Sequence, residues 1–415
     1  MAPETPGCRV HHDRRRTVSS AAIPTFFNHL PVRIAFGDGT SKSLPDLIRS
    51  TGARRVLLLT DQGIESFNPA AADTLAALAA SGLDVTRFDK APGEPTIAMV
   101  DAATACMREA DVDAVVALGG GSVIDTAKAA RLCHQLGVDF AGFLESDRVY
   151  PQPVLPLFAV PTTAGTGSEV SGGSVITDPH AGRKAGIAHP HLRAQYAVVD
   201  PVLTWSMPPA MTANTGIDAF AQAIAAAIAK VRTPIGDAIA LEAVRLIGDS
   251  LLAACRDGSD VTARSSMACG AMMAGLAMNI SDCTAEHSLG QAIGGLTGAP
   301  HGLTIALVLA ETLDRERHHV PEQMERIADA WGLPDDGSGD GSRLVAAVRL
   351  LLDRLEFPVL RDLGVSADDL DRLTDLTLAD YFITMSPHPW RRDEVHQAFA
   401  AALALDSRRL ATAVG

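Results

Sequence analysis

The first half of the chain alternates short, continuously apolar runs with stretches of helical period. Val56-Leu57-Leu58-Leu59-Thr60 and Ala114 to Leu118 are almost unbroken by polar residues, as expected for strands covered on both faces in a parallel sheet. Residues 32–36, 83–88, 157–160, 175–177 and 197–199 read as further strands, and 43–50, 70–81 and 97–110 as helices. This alternation predicts right-handed β-α-β units and a doubly wound parallel sheet, an α/β domain over 23–208. Asp200-Pro201 and Met207-Pro208-Pro209 read as the stops that close it.

Beyond that boundary the period changes. Alanine-rich helical segments follow one another at 218–230, 234–256, 261–280, 283–295, 302–314, 321–331, 341–354, 366–380 and 392–405. No strand pattern falls among them, so 209–415 is expected to be an all-α domain, with Gly337–Gly341 a flexible loop. Residues 1–22 hold basic residues without the apolar core of a signal peptide and read as a flexible tail. No apolar run reaches the roughly 18 residues a membrane span needs, which makes a cytoplasmic enzyme without a membrane partner the expectation.

Composition sharpens this picture at three points. The 415 residues, 47% hydrophobic and 20% charged, suit a globular protein of two domains. Aromatics are only 4%, so the core must be built from Ala, Leu, Val and Ile. The net charge of -14 argues against a nucleic-acid partner, which needs a basic face. It leaves room for an anionic cofactor, because amides at a helix N-terminus hold phosphate without a basic surface. The six cysteines include no Cys-x-x-Cys pair and fit reduced thiols better than a disulfide framework.

Three stretches carry candidate chemistry. The strand at 114–118 runs into Gly119-Gly120-Gly121-Ser122-Val123-Ile124-Asp125-Thr126-Ala127-Lys128, where glycines permit close approach of a ligand and Ser122 with Asp125 has the form of a capping box. Strand, glycine turn and helix together form an anion site; a tight connection without a ligand is the plainer alternative. The spacing is not the common dinucleotide fingerprint, whose third glycine would fall on Ile124. A second loop, Pro161-Thr162-Thr163-Ala164-Gly165-Thr166-Gly167-Ser168-Glu169, supplies hydroxyls and glycines and reads equally well as a polar surface loop. In the third stretch Asp218 and Gln222 lie one helical turn apart and project from one face. His287 and His301 would complete a nitrogen and oxygen set suited to a divalent iron- or zinc-like ion. Each of these residues alone is more often a satisfied core or surface residue.

Taken in order, the Gly119–Lys128 turn, the Pro161–Glu169 loop, Asp200-Pro201 through Gly216-x-Asp218-Ala219, and Pro300-His301-Gly302 resemble the group III, iron-type alcohol dehydrogenases, from about residue 30 to the Pro387–Arg391 stretch. The resemblance implies the dehydroquinate synthase-like fold of that family, with NAD or NADP on the α/β domain and a divalent metal, Fe2+ or Zn2+, on the helical one. It implies a small alcohol or aldehyde as substrate, and a homodimer or larger assembly. The cofactor set it implies is Asp61, Gly119, Gly120, Gly121, Ser122, Asp125, Lys128, Thr162, Thr163, Thr166, Ser168 and Lys184. Asp61, at the end of a buried strand, is placed to accept ribose hydroxyls and repel a 2′-phosphate, which favours NAD over NADP.

The metal set implied is Asp218, Gln222, His287 and His301, with His287, His301 and Gln291 at the reacting centre. Two positions depart from the family pattern. Gln222 stands where a His is usual, and an amide oxygen is a poorer ligand for a borderline metal than imidazole. Gln291 replaces a further His, so a proton must leave through water or the ribose hydroxyls. Phe220, His388, Trp390 and Arg391 are candidates for the substrate pocket. Alternatives are a metal-independent reductase like maleylacetate reductase, with both imidazoles as charged donors, a dehydroquinate synthase-like lyase, and a scaffold that only binds nucleotide. No dense Lys and Arg cluster near 218–222 favours the lyase, and the glycine turn and both histidines speak against the scaffold.

Overall fold

The structure, a computed structural model, describes residues 25–90, 93–178 and 183–405, the side chains of 183 and 184 excepted. The expected tail at 1–22 lies outside the described residues. Eight strands form: β1 (Arg33–Phe36), β2 (Arg55–Asp61), β3 (Asp84–Lys90), β4 (Ala114–Gly119), β5 (Leu157–Pro161), β6 (Gly173–Asp178), β7 (Arg183–Ala188) and β8 (Tyr196–Val199). Six make one sheet in the order β1-β8-β5-β4-β2-β3, every neighbouring pair parallel. Around it lie α1 (Leu44–Ser50), α2 (Ile64–Phe67), α3 (Pro69–Ala79), α4 (Ile97–Glu109), α5 (Gly121–Leu136) and α6 (Phe140–Glu145).

The apolar runs of β2, β4 and β5 are buried on both faces because separate hydrophobic clusters cover the two sides. Leu57, Leu59, Val115 and Ala117 face one of them, and Val56, Leu58, Ala114 and Val116 the other. The expected strand at 175–177 forms but joins no parallel sheet. It is the centre of β6, which pairs antiparallel with β7, an element absent from the sequence-based expectation. Its burial alternates, Ser174 and Ile176 in and Val175 out, as suits a ribbon covered on one side only.

The chain passes from β2 outward to β3, then returns past β2 to β4 and continues to β5 on the other side. The point of reversal lies between β2 and β4, where open parallel sheets form their ligand crevice at the strands' carboxyl ends. Asp61 and Gly119 occupy those two ends.

From residue 209 the described chain is helical: α7 (Pro209–Ile228), α8 (Pro234–Arg256), α9 (Val261–Ser281), α10 (Ala285–Thr297), α11 (His301–Glu316), α12 (Pro321–Ala330), α13 (Ser342–Arg354), α14 (Leu370–Leu378) and α15 (Arg392–Ala404), with short 3-10 turns between some of them. The α7 start corrects the expected 218. Pro208-Pro209, read as a stop, is a start: Pro209 takes the first helical position, where a missing N–H costs nothing. Helix α7 is then buried on all sides after Ile217, and its small side chains let neighbours come close. A β-carbon on Gly216 would stand 2.3 Å from Leu251 of α8.

Sheet and helices are tied at several points. Gly167, at φ +61, lies so near Gly275 of α9 that a β-carbon would come within 2.5 Å of its Cα. Asn279 Oδ1, also on α9, accepts from the Gly172 amide at 3.0 Å and from Arg193 at 3.1 Å. No described helix is long and apolar enough to cross a membrane.

Candidate active site

Three helices bring one carboxylate and two imidazoles together. Asp218 on α7, His287 on α10 and His301 at the start of α11 offer ligand atoms that all lie within 4.8 Å of one another. Nε2 of His287 and Nε2 of His301 each stand 3.6 Å from Asp218 Oδ1. The convergence rests on glycine contacts between helices. A β-carbon on Gly290 would meet Ile305 Cδ1 at 2.5 Å, which lets α10 and α11 cross closely. One on Gly302 would meet the backbone oxygen of Asn214 at 1.8 Å, which presses the first turn of α11 onto α7.

Gln222 Nε2 donates to Asp218 Oδ2 at 3.1 Å, one turn along α7. That bond occupies the oxygen turned away from the imidazoles. Three buried atoms around the cluster then have no hydrogen-bond partner: Asp218 Oδ1, Gln222 Oε1 and His287 Nε2. Buried polar atoms are nearly always paired, and here an oxygen and a nitrogen 3.6 Å apart are left without partners, with the Gln222 oxygen unpartnered on the side chain that bonds Asp218. The donor set fits a divalent cation.

Sequence reasoning missed the residues that orient this set. Glu286 Oε1 lies 2.7 Å from Nδ1 of His287, which turns Nε2 toward Asp218, the arrangement usual behind a ligating imidazole. Glu286 also accepts from the hydroxyl and amide of Thr284. A carboxylate adjacent to a candidate His was the available signal. Phe382 packs its ring 5.8 Å from that of His287, and Tyr381 donates to Asp282 at 2.9 Å. Burial works against charge at this cluster but is outweighed. The Asp218 carboxyl is held below its ordinary value by His301, His287 and Gln222, and His287 is held well above its own by Cys283, Asp218 and Glu286.

Other expectations fall elsewhere. Gln291 is exposed on α10, a turn beyond His287. Phe220 is no pocket residue: it is fully buried, edge-on to Trp331 in the helical core, because that face of α7 looks away from Asp218. Trp390 and His388 instead hold the buried Glu316, at 2.9 and 3.0 Å, and exposed Arg391 pairs with Asp393.

The glycine turn lies at the reversal point of the sheet. Ser122 does not cap α5: the N-cap is Gly120, extended at φ -72 and ψ -177, and Ser122 is already inside the helix. The tight turn places the only cap-like backbone one step before the helix, at a residue without a side chain. No side chain therefore closes the first turn of α5, whose amides keep the character of an anion site. A β-carbon on Gly121 would meet Thr166 Oγ1 at 2.7 Å, and one on Gly120 would meet Thr163 at 3.4 Å, so the second loop lies directly over the first. Thr162 joins them through its amide, 3.1 Å from the Gly119 oxygen. Burial raises the half-buried Asp61 carboxyl, against Lys90 and the amide of Gly120.

Asp125, Lys128 and Ser168 are brought to one another. Ser168 Oγ donates to Asp125 Oδ1 at 2.5 Å, and the fully buried Lys128 Nζ reaches Ser168 Oγ, Ser171 Oγ and the Gly173 oxygen at 2.8, 3.1 and 2.7 Å. Asp125 also accepts from the Val175 amide. Lys184 stands on β7 opposite Thr177; its side chain lies outside the described residues. Gly165 links this loop to the metal-type cluster, since a β-carbon there would press on Thr215 of α7 at 2.6 Å, within a turn of Asp218.

Burial brings the Lys128 ammonium down to about 8, against Asp125 and Glu169. The unfolded chain keeps that proton to about 10.4. Between those values the unfolded state binds more protons, so stability rises with pH, and the burden is fully present below about 8. Denaturant unfolding of the wild type and Lys128→Met at pH of about 7.5 and 9.5 is expected to show the wild type gaining on the variant at the higher pH. An unchanged difference would mean that Lys128 titrates normally.

A parallel sheet with a glycine turn at its point of reversal, joined to helices that gather a carboxylate and two imidazoles, is a two-part architecture suited to a nucleotide and a divalent metal. Comparison with known proteins narrows this. Residues 31–201 match the iron-containing alcohol dehydrogenase family and residues 212–403 its C-terminal family. The chain is 34% identical to choline dehydrogenase of Bacillus subtilis (strain 168) over 85% of its own length and 88% of that protein's. It superposes on a 1,3-propanediol oxidoreductase with a TM-score of 0.87 at 30% identity, covering 91% of this chain and 100% of that one. A sulfoacetaldehyde reductase from Bifidobacterium kashiwanohense, solved with NAD+, gives 0.84 at 28% identity, covering 92% and 100%. The chain belongs to the iron-containing alcohol dehydrogenase family and is an alcohol dehydrogenase.

Proposed function

We propose that the chain interconverts a small alcohol and its aldehyde with NAD as hydride carrier, at a divalent metal, Fe2+ or Zn2+, held by Asp218, Gln222, His287 and His301. The observation that carries this reading is the cluster of buried lone pairs without partners at Asp218, Gln222 and His287. A bound divalent cation would supply Lewis acidity, lowering the pKa of the alcohol and stabilising negative charge on its oxygen. The residues of the chain do the rest. The first-turn amides of α5 and the glycines 119–121 hold the pyrophosphate, and the Thr162–Thr166 loop closes over it. Asp61 accepts the ribose hydroxyls. Glu286 keeps His287 in one tautomer and orientation. The alcohol proton leaves through water, because Gln291 offers no basic nitrogen.

Bound NAD would supply the hydride acceptor, so that oxidation of the alcohol would give aldehyde, NADH and a proton. The test is elemental analysis of protein purified without chelator, with NADH formation followed at 340 nm before and after chelation. Bound metal and activity should be lost together and return together. The approach of both imidazoles to one carboxylate at 3.6 Å supports a second reading, in which they donate to a carbonyl oxygen without metal. Activity that survives complete removal of metal would establish it.

Cofactor choice has its own test. Asp61→Ser removes the carboxylate that would repel a 2′-phosphate. The NAD to NADP ratio of kcat/KM should fall by at least about tenfold, on the scale of one lost charge interaction. An unchanged ratio would remove Asp61 from the cofactor site.

A further inference from the structure

Resting on the metal-centred reading above, we infer that Gln222 supplies a second oxygen ligand to this centre and narrows its discrimination between Zn2+ and oxygen-preferring divalent ions such as Mn2+. The side chain is 4% exposed and sits one turn from Asp218 on a helix buried all round. Its two amide ends are already distinguished. The NH2 end is spent on Asp218 Oδ2, at 3.1 Å, which leaves Oε1 as the end without a partner. A buried carbonyl oxygen in that state, on a side chain bonded to Asp218, adds a third unpartnered atom to those of Asp218 and His287. The other assignment of the amide would set Oε1 against the Asp218 carboxylate, acceptor to acceptor, so the hydrogen-bond pattern itself selects the orientation.

The consequence follows from the chemistry of the donors. Asp218 and Gln222 give two oxygens, and His287 and His301 two nitrogens. Affinity rises along the series from Mn2+ to Cu2+ and falls back at Zn2+, which still binds more tightly than Mn2+ at nitrogen-bearing sites; imidazole suits Zn2+, while carboxylate and carbonyl oxygens suit Mn2+ and Mg2+. Replacing one imidazole by an amide oxygen therefore flattens the preference without changing the charge of the site, since both ligands are neutral. Gln222 also fixes Asp218 through its NH2 group, so the same residue that softens the preference keeps the carboxylate aimed.

The experiment uses the full chain freed of metal with a chelator. Mn2+ and Zn2+ are titrated singly and in competition by calorimetry and equilibrium dialysis, into wild type, Gln222→His and Gln222→Leu. The Zn2+ to Mn2+ affinity ratio is expected to widen on the order of tenfold in Gln222→His, the lower end of what ligand-shell changes produce. Gln222→Leu should lose affinity for both ions, most visibly Mn2+. Co2+ loaded into wild type and Gln222→His should give different visible absorption bands, reporting a changed donor independently of turnover.

A metal-binding Gln222→His protein with an unchanged ratio and unchanged Co2+ bands would overturn the inference while leaving the metal centre standing. So would Gln222→Leu binding Mn2+ as tightly as wild type. Should Gln222→His not fold, the Gln222→Leu titration decides. Wild type that takes up neither ion would bring down the metal-centred reading and this inference together.

Discussion

Asp218→Asn is expected to lower kcat/KM for alcohol oxidation by about 10²–10³-fold or more, the usual cost of removing a charge-stabilising group from an active centre. Metal content measured on the same preparation should fall toward zero. The metal-free protein should lose stability as well: Asp218 is only 3% exposed, and despite that burial two imidazoles 3.6 Å away together with the Gln222 amide hold its carboxyl below the ordinary value in the fold. A carboxyl whose folded pKa is lowered stabilises the fold at neutral pH, and replacing one partner of a buried pair by a neutral amide leaves the other uncompensated. A lower thermal melt of the metal-free variant than of the metal-free wild type, beside lost activity, is the expected pair of results. A variant that keeps its metal and its rate would show that Asp218 is part of the core alone.

The second large effect comes from a residue without chemistry. Gly302→Ala puts a β-carbon 1.8 Å from the Asn214 oxygen and 2.6 Å from its carbonyl carbon, both backbone atoms that no rotamer change can remove. The first turn of α11 must lift from α7 by more than an ångström. Overpacking of this kind costs about 1–3 kcal/mol, readable as a lower denaturation midpoint. His301 begins α11, so the lift also takes its imidazole away from Asp218. A displacement of about 1 Å at a reacting centre can cost roughly 10²-fold in rate. Unimpaired activity in Gly302→Ala would mean that the close approach of α7 and α11 does not set the geometry of the cluster.

The two variants separate what is chemical from what is positional, and the sequence was legible to different degrees for each. Asp218 and Gln222 could be paired from their spacing, because a helix has a fixed period. His287 and His301 could be joined to them only through resemblance to a family, since nothing in a linear pattern relates α10 and α11 to α7. Glu286 was overlooked for a related reason: adjacent residues on a helix face different ways, and only the geometry of its contact to Nδ1 shows that it supports His287. Phe220 was misplaced because period alone does not say which face of an all-buried helix looks into a core and which into a cleft.

In the α/β half, the sequence by itself determined the sheet strands, since an apolar run covered on both faces has few other structures open to it. It determined the helical half too, apart from the α7 start, because alanine-rich period with no β-branched alternation leaves no strand. The order of strands, the separation of the β6–β7 ribbon and the roles of Asp125, Ser168 and Lys128 as mutual partners were decided by tertiary structure. So was the meeting of Asp218, His287 and His301. Local periodicity reflects which residues leave water, and it acts over a few turns. Which buried faces then meet depends on shape at contacts far apart in the chain, and here glycines 165, 167, 290 and 302 make those contacts possible.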